Sequence, residues 1–122
     1  MSRDRKQRTT KKKAELHEVV MPLLQAMYEE FKEFSKKKPD AVLSKSKVQV
    51  VNRLLEKCRE VLESESSLQF LDLLDEDNVP QNNDVVLMLS QYVSAMNQFK
   101  EAYHGKLLGF EFDSEWGWLT SD

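Results

Sequence analysis

Glycine, proline and cysteine are scarce in this chain, at three, three and one in 122 residues. With Gly105, Gly109 and Gly117 as the only glycines, the sequence holds no glycine-rich phosphate loop and no Gly-x-Ser-x-Gly nucleophile elbow. Cys58 has no second cysteine to pair with, so no internal disulfide forms and a reducing, cytoplasmic setting is expected. Lys57 and Arg59 flank it with charge that could activate a thiol, yet Cys58 also occupies a small-hydrophobe position in a helical apolar stripe. Packing is the expected role. The two histidines, His17 and His104, stand in different helical segments, with no cysteine or second histidine at metal-ligand spacing. Asp72, Asp75, Glu76 and Asp77 lack the glycine that a calcium loop needs at its sharp turn. No metal, cofactor or catalysis is expected. No run of eighteen uncharged apolar residues occurs, and charges rather than an apolar core follow the basic N-terminus; neither a membrane span nor a signal peptide is expected.

Charge is plentiful, and it is unevenly placed. Residues 1–59 hold 16 lysines and arginines against 8 acids, net +8, whereas residues 60–122 hold 2 against 13, net −11. Either the halves neutralise each other on folding or each end addresses a different partner. The extreme N-terminus, MSRDRKQRTTKKK, carries seven basic side chains and no apolar residue after Met1. It reads as a flexible arm or a solvated helical extension.

Beyond the arm, apolar residues recur at helical spacing. Leu16, Val20, Leu23, Met27, Phe31 and Phe34 mark a helix from about Lys11 to Lys37, kinked at Pro22 and ended by Pro39. Val48, Val51, Leu55, Cys58 and Leu62 mark a second, with Ser44 as N-cap. Val85, Leu89, Tyr92, Met96, Phe99 and Tyr103 mark a third, capped by Asn83 or Asp84 and closed by Gly105. Between the last two, Leu68, Leu71 and Leu74, or Phe70 with Leu73 and Leu74, suggest a short helix from Ser66 or Ser67. The expected fold is all-α: a small antiparallel helical bundle of three long helices plus one short, spanning 14–105. A basic arm (1–13) precedes it and an aromatic, non-helical tail (106–122) follows. The same spacing also admits a seam against a second copy, that is, a homodimer.

The tail concentrates four of the chain's eleven aromatics, Phe110, Phe112, Trp116 and Trp118, and interleaves them with Glu111, Asp113 and Glu115. Each such ring stabilises by roughly 2 to 3 kcal/mol when buried, so something must cover them. Either the tail folds back over the bundle or another protein covers it. Rings alternating with acids would anchor in pockets and steer toward a basic rim. The expected function is a non-catalytic protein–protein interaction module: an adaptor, an accessory subunit or an inhibitor. The alternative is a nucleic-acid-associated protein whose Arg3, Arg5, Lys6, Arg8, Lys11, Lys12 and Lys13 contact phosphates, with Lys36, Lys37 and Lys38 extending the patch.

Overall fold

The computed structural model describes residues 7–107 and 116–122. Helix α1 (Lys11–Lys37) begins where Thr10 holds an extended backbone and its hydroxyl oxygen accepts the Lys13 amide at 3.2 Å. It runs through Pro22 and ends at Lys38, whose amide still donates to the Phe34 carbonyl before Pro39 forbids another turn. Residues 11–13 are therefore the first turn of α1. The buried face is Ala14, His17, Val20, Leu24 and Phe31, while Leu23, assigned to the core by its spacing, is 56% exposed and Phe34 also faces solvent. The start of α1 meets Ser64 and Met96 and its end meets Asn82, so it lies antiparallel to both partner helices. Facing two neighbours, α1 turns inward a wider and differently centred surface than its large side chains alone suggest.

Helix α2 (Lys45–Val61) is capped by Ser44 as expected, and Val48, Val51, Leu55 and Cys58 are buried with Val61 and Leu62. Helix α3 (Asn82–Tyr103) buries all six stripe residues together with Ala95. Its cap is Gln81 rather than Asn83 or Asp84. The Gln81 side chain accepts from the Asp84 amide, and the Asp84 carboxylate accepts from the Gln81 amide at 3.0 Å, a reciprocal capping box.

The short helix reduces to a single 3-10 turn, Ser66–Phe70, after which the backbone extends. Side chains from both flanking helices take up its polar groups. The Asn52 amide donates to the Leu74 carbonyl and accepts from the Leu74 N–H, both at 2.8 Å. Arg59 donates to the Leu71 carbonyl, and the Tyr92 hydroxyl to that of Asp72 at 2.8 Å. Leu71 and Leu74 enter the core, whereas Phe70 and Leu73 remain outside. This segment thus packs between α2 and α3, which have little direct contact with each other.

Past Tyr103 the chain enters a strand directly. Strand β1 (His104–Lys106) pairs antiparallel with β2 (Trp116–Trp118), in the register His104↔Trp118, Gly105↔Gly117, Lys106↔Trp116. Gly105 adopts no positive φ, so the left-handed cap expected of it is absent. The Leu119 amide replaces that cap by donating to the Tyr103 carbonyl at 2.7 Å.

Candidate functional site

The tail and the start of α1 form one structure. Thr9 and Thr120 form a parallel bridge, with Thr9 N–H donating to the Leu119 carbonyl and Ser121 N–H to the Thr9 carbonyl, both at 2.9 Å. The Asp122 carboxylate accepts the Lys11 backbone amide at 2.7 Å, one of the orphan donors of the α1 N-terminus. These bonds align β2 so that the Trp118 ring packs over α1 and α3. Its centroid lies 5.0 Å from His17, 5.8 Å from Phe99 and 5.4 Å from His104. Its indole N–H donates to Glu18 at 2.7 Å, and Glu18 in turn lies 3.8 Å from the Lys100 ammonium. Trp118 therefore completes the chain's own core. Trp116, two residues earlier on the strand, is 69% exposed.

His17 is the buried polar group beneath that ring. Its Nε2–H donates to the Met96 carbonyl at 2.8 Å, a pairing that leaves the lone pair on Nδ1, and Nδ1 has no partner among the described residues. Burial holds the imidazole below its ordinary pKa of 6.5, outweighing the carbonyl bond, which acts the other way. Tyr103, whose ring lies 4.8 Å from that of Phe99 on α3, donates to Glu65 at 2.8 Å; burial and that carboxylate push its hydroxyl up to about 12. Cys58 is fully buried and its thiol is pushed up to about 12, so the folded chain presents it as an apolar packing group rather than a nucleophile.

Of the remaining expected site residues, Phe110, Glu111, Phe112, Asp113, Glu115, Arg3, Arg5 and Lys6 lie outside the described residues. Arg8 donates to the Thr120 carbonyl at 3.1 Å, and Lys13 contacts Ser64 at 2.8 Å and Glu63 at 3.7 Å. Lys11 and Lys12 are exposed. Among the described residues no three histidine, cysteine or acidic side chains are grouped to hold a metal ion, and no helix is long and apolar enough to cross a membrane.

A second feature, which the spacing of apolar residues did not reveal, lies at the far end of α1. A groove of about 240 Å³ opens between the end of α1 and the start of α2, lined by Phe34, Lys37, Lys38, Val42, Leu43 and Lys47 among others. Phe34 and Val42 are exposed in its wall, and the Lys47 ammonium sits 5.7 Å from the Phe34 ring centroid. Backbone pairing shapes it: Leu43 N–H donates to the Pro80 carbonyl and Asn82 N–H to that of Ala41, holding the α1–α2 connection against the start of α3. The sequence signal was Phe34, which an inward-facing stripe had absorbed.

The fold and these two surfaces define a three-helix bundle sealed by a terminal hairpin. No protein family, curated protein or solved structure matches the chain.

Proposed function

We propose that this chain is a non-catalytic protein–protein interaction module, an adaptor, accessory subunit or inhibitor, whose partner contacts the hairpin end of the bundle. Trp116 carries the proposal. Its indole stays in water on a strand that Trp118 fastens to the bundle two residues later, and a large exposed ring on anchored backbone is an efficient binding anchor. The sequence immediately before it, Phe110, Glu111, Phe112, Asp113 and Glu115, adds two more rings and three acids suited to a basic partner surface. The buried, protonated Cys58 is consistent with residence in the cytoplasm.

The two tryptophans separate binding from folding. Trp116→Ala should cut partner capture from native lysate at least about tenfold while stability, followed by circular dichroism, changes by less than about 0.5 kcal/mol. Trp118→Ala should instead cost about 2 to 4 kcal/mol of stability. Undiminished capture by Trp116→Ala would refute the assignment. The phosphate-binding alternative draws less support, because Arg8 and Lys13 already face groups of the chain itself.

A further inference from the structure

The groove at the α1–α2 corner has the chemistry of a receptor. Between residues 36 and 47 the chain carries five lysines and one acid, Asp40. Lys37, Lys38 and Lys47, which line the groove, form no ion pair among the described residues, whereas Lys32 and Lys36 are paired to Glu29 and Glu33 along α1. Its apolar lining is Phe34, Val42 and Leu43. At about 240 Å³ the space falls below the roughly 300 Å³ at which small-molecule sites begin, but it admits a single large side chain. An occupant should therefore bring one apolar anchor and several acids in a short stretch.

The chain contains such a stretch. Residues 109–116, GFEFDSEW, hold three aromatics, three acids and no base. They cannot serve their own groove. Lys106 and Trp116 are paired across the hairpin at the start of α1, and the eight residues between Leu107 and Trp116 reach outward by about 14 Å at full extension, half going out and half returning. From His17, under the hairpin, to Phe34, at the groove, α1 alone rises about 25 Å. A second copy meets no such limit.

We propose that the basic groove of one copy receives the acidic aromatic segment 109–116 of another, a head-to-tail contact that leaves one groove and one segment free at the ends of each assembly. The proposal rests on the reading of this segment as a binding element and names a second copy as its partner. The lysines supply steering and the apolar Phe34 and Val42 supply the anchor site, so the contact weakens as salt rises.

Sedimentation of the full chain tests it through complementation. Wild type should associate with rising concentration, by a constant that falls about tenfold between low and high salt. Lys37→Glu with Lys38→Glu, and separately Phe110→Ser with Phe112→Ser, should each be monomeric, with helical content and melting unchanged. Mixed, these two variants should form a dimer and stop there, because one carries the only intact segment and the other the only intact groove. A wild type that is monomeric at several hundred micromolar would overturn the proposal. So would a single variant that still associates, or a mixture that does not. If the chain is monomeric yet Trp116→Ala still abolishes capture of another protein, only the head-to-tail contact fails and the interaction module stands.

Discussion

His17 occupies a position where a hydrophobic residue would be ordinary, and its chemistry gives the fold a pH dependence. The neutral ring stacks on Phe99 at 5.8 Å, lies under Trp118, and holds the Met96 carbonyl, with Glu18, Lys100 and His104 as the charged and titratable groups acting on it. Its folded pKa lies below the unfolded value of 6.5, so the unfolded chain takes up the proton more readily. Stability is therefore fully present above about 6.5 and is lost as pH falls through the folded value, with a slope approaching about 1.4 kcal/mol per pH unit. Urea unfolding from pH 7.5 to 5 should show this loss in the wild type. His17→Leu should flatten it, and an unchanged slope in that variant would assign the effect to His104 or the carboxylates. Residue type alone could not disclose this: the sequence places His17 one position from Leu16 on the helix, and only the α3 backbone carbonyl opposite explains why an imidazole is tolerated there.

Among the elements, the segment between α2 and α3 depends most on single side chains. Leu71 and Leu74 are buried without a helix to carry them, and Asn52 performs the task of a neighbouring strand by pairing with both polar groups of Leu74. Asn52→Ala should cost about 2 to 3 kcal/mol, since it removes two hydrogen bonds and leaves the Leu74 amide and carbonyl without those partners. Gln49→Ala, which removes an exposed bond to Glu76, should cost less than about 0.5 kcal/mol. Equal losses in urea denaturation would show that the segment is held by its leucines alone. The helices themselves were legible because each stripe is long and periodic; α2 and α3 follow theirs residue for residue. The extended segment was not, because its polar groups are satisfied by residues 12 to 22 positions away, and a run of leucines resembles a short helix when those partners are unseen. The Gln81 cap was missed for a related reason. Glutamine is a poor cap in general, and here it works through reciprocity with Asp84.

In the whole molecule, the opposite charges of the two halves cancel only in small part through direct contact. Among the described residues, ion pairs between separate elements are Lys13 with Glu63 and Lys100 with Glu18, while Lys32, Lys36 and Lys57 pair three residues away along their own helices. Cohesion across the chain instead comes from the buried apolar core shared by the three helices, from the aromatic cluster packed against it and from the joined ends. Removing residues 119–122 deletes the Leu119 and Ser121 bonds to Thr9, the Leu119 bond to Tyr103 and the Asp122 bond to Lys11. Stability should fall by about 2 to 4 kcal/mol, and amide exchange should accelerate at Thr9, Lys11 and the hairpin well before α2. Uniform acceleration along the chain would mean that the ends do not unfold as a separate unit. The fold-back of Trp118 was half visible in the sequence. Four rings demanded cover, but Trp116 and Trp118 share one face of β2, and their different exposure follows from position along the strand: Trp118 pairs with His104 at the end of α3, whereas Trp116 pairs with Lys106 two residues farther out, a register the sequence does not announce.

The parallel run of Thr9 beside Thr120 has a mechanical consequence. Traction applied to the two ends of the polypeptide would act along these neighbouring stretches in opposite directions, loading their bonds in shear. They must rupture together rather than peel open in turn, so the molecule should resist stretching more stiffly than a helical bundle whose ends fray freely.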